Sequence, residues 1–402
     1  MKTTYIIDAI RTPIGNFTGA LSKVRVDDLG ALVIKTLMDR NPSIDQDEIG
    51  DVIMGCANQA GEDNRNVARM SALMAGLPIS VPGETINRLC SSGMASVVNG
   101  SRMIAVGDAE MVVAGGMENM TRGPWVISKV STPFGRDAKM HDSSFGWRFI
   151  NPKLEALYGV DGMGFTAENL ADKYSISRED QDKFAYNSQM KATKAQAEGR
   201  FKDEIVSVEI PQRKKDPIIF SDDEFIKPKS TLEILGKLRP AFRRDGGTVT
   251  AGNASGLNDG AAAMLIASED AVSKYNLQPM AKIVSSAVVG VEPRIMGIGP
   301  VKASLKALER AGLTLDDMDI IELNEAFSAQ ALACIRAFGL EDNDPRLNPN
   351  GGAIALGHPL GVSGTRILQT AAIELKKQNK RYALCTMCIG VGQGYATIIE
   401  RV

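Results

Sequence analysis

The sequence predicts an α/β fold on three observations. Short apolar runs of strand length alternate with amphipathic segments of helical period. The runs are continuously apolar rather than alternating, as in strands covered on both faces. One central stretch, residues 122–247, breaks the rhythm with more charge and with Pro124, Pro133, Pro152, Pro211, Pro217, Pro228 and Pro240.

In chain order, residues 5–7, 51–54 and 111–114 read as buried strands, with residues 26–37 an amphipathic helix between the first two. A further helix is expected behind Cys90, where an Ala/Val/Ile/Met pattern runs on to Val106. Residues 122–247 read as a loop-rich insertion carrying helices, the clearest at 178–199 behind Ser177, with Asp180 spaced for a capping box. Strands follow at 263–266, 282–285, 320–323, 382–386 and 395–400, with helices at 301–311 and 364–377. Such alternation implies mainly parallel sheets with helices on both sides. The same grammar before and after the insertion suggests two related halves: residues 1–121 completed by 248–272, and residues 273–402.

Composition narrows the function. A chain of 402 residues, 44% hydrophobic, has ample material for a large core. Its 46 basic and 48 acidic side chains leave a formal charge of −2, so no global field draws nucleic acid or an anionic membrane, and a small-molecule partner is expected. The apolar run at the amino terminus is broken by Asp8, and no stretch reaches the roughly 18 apolar residues of a membrane span. A soluble, cytoplasmic protein is expected. Five cysteines, odd in number and scattered, argue for reduced thiols rather than a disulfide framework. The glycines of residues 390–394 lack full dinucleotide spacing and precede a strand, not a helix, which disfavours nucleotide binding.

Three islands and one shorter segment carry candidate chemistry. Cys90 sits before small residues, Ser91, Ser92 and Gly93, at a turn leading into a buried helix. A thiol at the positive end of a helix macrodipole is biased toward thiolate, whereas a free thiol of pKa about 8.5 is only a few per cent ionised at neutral pH. The other reading of Cys90 is a small hydrophobe packed in the core. His358, one of only two histidines, lies in a stretch of Asn, Pro and Gly, residues 348–361, where Pro359 favours extended backbone and the glycines permit close approach. That setting suits a Cys–His pair, with a satisfied core histidine as the alternative. His141 lies among polar residues and reads as solvated. Cys385 and Cys388 invite a zinc reading, yet two thiolates do not fill a tetrahedral site, and residues three apart on a strand point to opposite faces. Cys385 is expected in the sheet and Cys388 at the strand end facing a cleft, before glycines whose N–H groups are free to bind an oxyanion. Asn324 follows a strand-like run and either faces the site from its mouth or caps a helix.

Together these islands resemble the thiolase family. The likeness rests on Cys90 with Ser91 and Gly93, on Asn324-Glu325-Ala326-Phe327, on Gly357-His358-Pro359 and on Cys388-Ile389-Gly390-Val391-Gly392. It runs in order from Ile6-Asp8-Ala9-Arg11-Thr12-Pro13 to the carboxyl terminus and so spans essentially the whole chain. The resemblance implies a five-layered αβαβα fold of two similar halves with an inserted loop domain, and an acyltransferase using acyl-CoA and coenzyme A as substrates, without metal or other cofactor. It implies a homodimer or homotetramer in which the N-terminal half pairs across a twofold axis. It makes Cys90 the acylated nucleophile, His358 the group that activates it, and Cys388 the acid and base for the α-carbon proton. It also puts Asn324, through a bound water, with His358 in the oxyanion hole for the enolate. The N–H groups of Cys90 and Gly390 form the second hole, and Ser255, Met163 and Phe327 contact the coenzyme A arm or the acyl group.

On substrate, acetoacetyl-CoA-specific relatives often carry His-Met-Gly where this chain reads Gly162-Met163-Gly164. Residues 56–69, Trp147-Arg148-Phe149 and residues 290–294 look like the thiolases that act on 3-oxoadipyl-CoA. A substrate ending in a carboxylate calls for a guanidinium, for which Arg148 and then Arg136 are the candidates. An acetoacetyl-CoA or general 3-ketoacyl-CoA thiolase, and a non-catalytic acyl-CoA-binding protein, are the alternatives.

Overall fold

The computed structural model describes residues 2–402. Its first part runs β1 (Thr4–Arg11), β2 (Gly15–Asn16), α1 (Val26–Arg40), β3 (Ile49–Gly55), α2 (Val67–Met74), β4 (Gly83–Ile86), α3 (Ser92–Val106) and β5 (Met111–Asn119). Then come two small hairpins, β6 (Trp125–Ile127) with β7 (Met140–Asp142) and β8 (Val208–Gln212) with β9 (Lys215–Phe220). The same region carries α4 (Pro152–Tyr158), α5 (Met163–Lys173), α6 (Arg178–Ala197) and α7 (Leu232–Gly236). β10 (Asn258–Ser268) and α8 (Glu269–Tyr275) return to the first sheet. The last part runs β11 (Ala281–Gly290), α9 (Gly299–Ala311), β12 (Ile320–Leu323), α10 (Ser328–Ala337), α11 (Ala353–Leu356), α12 (Leu360–Lys377), β13 (Tyr382–Ile389) and β14 (Gln393–Arg401).

Ten strands form one mixed sheet in the order β12-β13-β14-β11-β1-β10-β5-β3-β4, with β2 on β10. Its two parts join at a two-residue seam, Tyr5 opposite Lys282 and Ile6 opposite Ala281. Mainly parallel sheets were the expectation, and the structure corrects it. Only β3–β4, β3–β5 and β12–β13 pair in parallel; β1–β10, β1–β11, β2–β10, β5–β10, β11–β14 and β13–β14 are antiparallel. A continuous apolar run reports cover on both faces, and here helices cover antiparallel strands as fully: every residue of β5 and β10 is buried.

Three apolar clusters separate five layers. α1 and α2 pack on one outer face, with Leu29, Val33 and Leu37 of α1 meeting Val113 and Leu265. Those α1 residues recur every four positions behind the acidic first turn of Asp27 and Asp28, as an amphipathic helix requires. α3 and α12 fill the middle, where Val97 and Ile367 meet Val112 and Ile266 from one side and Met387 and Tyr395 from the other. On the opposite outer face Ala307 and Leu308 of α9 and Ile335 of α10 meet Leu384 and Ile398. This is the αβαβα arrangement. In α6, Ser177 accepts from the Asp180 N–H at 3.0 Å, while the Asp180 carboxylate accepts from Arg336 at 2.8 Å instead of closing the box. No helix among the described residues is long and apolar enough to cross a membrane.

Candidate active site

Cys90 occupies a 3-10 turn, Leu89–Ser91, that runs directly into α3. Leu89 takes the left-handed region at φ 47°, a conformation that costs a non-glycine residue about 1–3 kcal/mol. Ser92 holds the turn closed: its hydroxyl accepts from the Arg88 N–H at 2.8 Å and donates to the Leu89 carbonyl at 2.7 Å. The turn packs on α12 and on β13. Burial pushes the Cys90 thiol above its ordinary pKa, with Glu118 acting the same way, against the pull of the Gly390 and Cys90 N–H groups. The expected dipole-stabilised thiolate is therefore corrected. Desolvation of the anion outweighs both N–H donors, so Cys90 needs a base to become a nucleophile.

His358 is positioned at the start of α12. His358 Nδ1 lies 2.6 Å from the Ser363 hydroxyl, which itself faces the Pro359 carbonyl at 3.1 Å. A hydroxyl has one proton; with that proton on Pro359, Ser363 accepts from Nδ1–H, which assigns the free lone pair to Nε2. Burial, helped by Arg366, lowers the His358 pKa to about 4, so the imidazole is neutral at pH 7. The His358 N–H donates to Asn258 Oδ1 at 2.9 Å, fastening the histidine to β10.

Glycines bring the two helix starts together. A Cβ on Gly93, three residues after Cys90, would stand 2.5 Å from the Gly361 carbonyl, three residues after His358. On the same junction, Glu118 of β5 accepts from the N–H groups of Ala57, Asn58 and Gly361, each at 2.9 Å. Burial lifts its pKa to about 7 against those three donors. Asn324 places Nδ2 3.5 Å from His358 Nε2, and its Oδ1 is buried with no protein partner among the described residues, an acceptor open to a bound molecule.

Cys388 and Cys385 divide as strand geometry dictates. Cys385 joins the inner core beside Ile367, whereas Cys388 packs with Ala167, Met296, Ala326 and Phe327. Burial drives the Cys388 thiol well above its ordinary range, with Cys90 and Cys334 adding to the shift. Gly390 follows at the strand end, and Val391 then takes φ 62°. The three expected contact residues connect to these segments through Ala326, Cys388 and Gly390. Ser255 donates its N–H to the Ala326 carbonyl at 3.0 Å, and Phe327 meets Phe242 edge-on at 6.2 Å. Met163, at the start of α5, has its sulfur 3.7 Å from where a Cβ on Gly390 would lie.

The two arginines proposed from sequence for a carboxylate differ in their surroundings. Arg136 is exposed, and half-buried Arg148 donates to the Ser143 carbonyl at 3.3 Å and Asn58 Oδ1 at 3.4 Å. Sequence reasoning missed Ser363, Glu118 and Asn258. Glu118 left a signal, a lone acid ending an apolar strand run, and Ser363 stood one turn into a helix behind the key histidine.

Family profiles described as the thiolase N-terminal domain and the thiolase C-terminal domain match residues 4–270 and 277–401. The chain belongs to the thiolase family. It is an acyltransferase of that family by the same similarity. It is 58% identical over 402 residues to the beta-ketoadipyl-CoA thiolase of Acinetobacter baylyi, with 100% of both chains covered. The 3-oxoadipyl-CoA/3-oxo-5,6-dehydrosuberyl-CoA thiolase of Escherichia coli is 55% identical, again over 100% of both chains. Among solved structures, human mitochondrial 3-ketoacyl-CoA thiolase superimposes with a TM-score of 0.92 at 43% identity, covering 100% of this chain and 99% of that one.

Proposed function

We propose that this thiolase cleaves 3-oxoadipyl-CoA with coenzyme A to give succinyl-CoA and acetyl-CoA, and catalyses the reverse condensation. The observation that carries the reading is the junction of the α3 and α12 starts with β13, where the turn holding Cys90 packs on α12 and β13 and Asn324 lies against His358. Relatives at 55% and 58% identity carry names for this substrate, which supports its assignment here.

In the cleaving direction His358 Nε2 takes the Cys90 proton and the thiolate adds to the 3-keto carbon. The N–H groups of Cys90 and Gly390 receive the oxyanion, a contribution of about 3 kcal/mol for a well-placed donor. The C2–C3 bond breaks, leaving acyl-Cys90 and an acetyl-CoA enolate beside His358 and Asn324. Cys388, neutral because it is buried, protonates C2. Coenzyme A then gives its thiol proton to the Cys388 thiolate and attacks the acyl-Cys90 carbonyl. The Cys90 thiolate leaves and recovers its proton from His358. Every proton is accounted for by three side chains and coenzyme A, so no cofactor is invoked, and a chelator is expected to leave turnover unchanged.

Side-by-side kcat/KM measurements with acetoacetyl-CoA, 3-oxohexanoyl-CoA and 3-oxoadipyl-CoA test the substrate. Preference for 3-oxoadipyl-CoA over the uncharged six-carbon analogue is expected to be roughly ten- to a hundredfold, the worth of a charge-assisted hydrogen bond. Equal rates would make this a general 3-ketoacyl-CoA thiolase. Incubation with acetyl-CoA and peptide mapping is expected to find the acetyl group on Cys90. The chain is further proposed to assemble as a homodimer or homotetramer, which sedimentation velocity tests. Support comes from the unpaired outer edge of β4 and from exposed Trp125, Ile127 and Phe134 on the β6–β7 hairpin.

A further inference from the structure

We infer that Arg294 receives the terminal carboxylate of the acyl chain, in a small cleft beside Cys90 walled by Trp147, Tyr158, Met163 and Val391. The inference rests on the dicarboxylate reading above and names the side chain that serves it. The cleft adjoins the nucleophile on its Gly390 side. A Cβ on Gly390 would lie 3.3 Å from the side chain of Leu89, the neighbour of Cys90, and 3.7 Å from the sulfur of Met163, and Val391 is the next residue.

Arg294 is held in place from one side only. Its Nε donates to Asp161 Oδ2 at 2.8 Å, and Asn169 donates both to that same oxygen, at 3.0 Å, and to the Arg294 carbonyl, at 2.9 Å. Trp147 Nε1–H donates to the Asp161 carbonyl at 3.3 Å, so an aromatic wall of the cleft and the arginine share one network. Among the described residues Nη1 and Nη2 of Arg294 have no hydrogen-bond partner. That leaves a two-pronged donor edge, the geometry that takes a carboxylate through two parallel N–H···O bonds. Asp161 offsets the guanidinium charge, so the cleft selects by bond geometry more than by field. A carboxylate at the end of a two-methylene tail gains this edge, whereas a methyl group in the same place leaves it merely hydrated. Trp147 and Arg148, adjacent in sequence, thus serve different surroundings: the first lines the cleft and the second is engaged by Ser143 and Asn58.

The test is the ratio of kcat/KM for 3-oxoadipyl-CoA to that for 3-oxohexanoyl-CoA in the wild-type enzyme and in Arg294→Met, Arg294→Lys and Arg148→Met. Arg294→Met is expected to lower the ratio by about tenfold or more, Arg294→Lys to restore part of it as a point charge, and Arg148→Met to keep the wild-type ratio. An unchanged ratio in Arg294→Met, an equal loss toward both substrates, or a selective loss in Arg148→Met overturns the assignment. Absence of any preference in the wild-type enzyme instead overturns the substrate reading itself, and this inference with it.

Discussion

Two thiols and one imidazole, Cys388 and His358 buried and Cys90 half-buried, are kept neutral by desolvation, and that shared neutrality sets how each behaves. For Cys388, in the proposed mechanism, it means a proton ready for the departing carbanion. Cys388→Ala is therefore expected to retain acetylation of Cys90, since a leaving coenzyme A thiolate can take its proton from solvent, but to lose deuterium exchange into the acetyl α-carbon of acetyl-CoA. Undiminished exchange would assign the step to another base. For His358 the pKa near 4 instead of 6.5 moves the acid limb of Cys90 acetylation to about pH 4. It also has a sign for stability. Between pH 6.5 and 4 the unfolded chain binds a proton that the folded histidine refuses, so stability falls as pH drops through that window, by about 3 kcal/mol at most. His358→Asn should flatten that slope in denaturant titrations; an identical slope would clear His358 of responsibility. These three residues were legible in sequence because glycine, proline and small residues surround them. Ser363 and Glu118 were not, because a hydroxyl in a helix and an acid at a strand end look ordinary until distant segments are seen against them.

The α3 and α12 starts owe their closeness to the absence of side chains. Gly93→Ala would drive a Cβ to 2.5 Å from the Gly361 carbonyl, a backbone atom with nowhere to go. Overpacking of this kind costs about 1–3 kcal/mol, and here it also parts Cys90 from His358. A lowered Tm together with an activity loss well beyond the unfolded fraction is expected; full activity in the folded variant would show that the clamp does not set the geometry. Ser363→Ala removes the acceptor that assigns the Nδ1–H tautomer, and about a tenfold fall in kcat with a displaced acid limb is expected. A fall in kcat with an unmoved pH profile would mark Ser363 as a packing residue only. Elements were legible where apolar runs were long: residues 320–323 match β12 as read. β10 was read as 263–266 but spans Asn258–Ser268, since Asn258, Asp259 and Gly260 carry loop chemistry yet pair with β2 and β5. β4, Gly83–Ile86, escaped notice because a strand with glycine, glutamate and threonine has no apolar run. Strand direction was illegible in principle, since burial on two faces is the same for either sense.

The whole molecule shares its middle layer between both parts of the sheet, so neither part keeps a finished core without α3 and α12. Equilibrium unfolding followed by activity, near-ultraviolet and far-ultraviolet dichroism is expected to give coincident transitions. A plateau with the first part of the sheet intact would refute the idea of a shared core. The strand order β11-β1-β10-β5 adds a temporal consequence. On the ribosome, β1 and β5 emerge early, but the strand that belongs between them ends at Ser268, and His358, the base of the proposed mechanism, lies 90 residues farther still. Until β10 emerges the nascent chain carries two open, apolar strand edges, and until His358 follows the Cys90 thiol lacks its proposed base. Synthesis therefore passes through a long phase that invites chaperone capture and edge pairing between neighbouring chains on a polysome, while a ribosome stalled in the insertion releases no prematurely active enzyme.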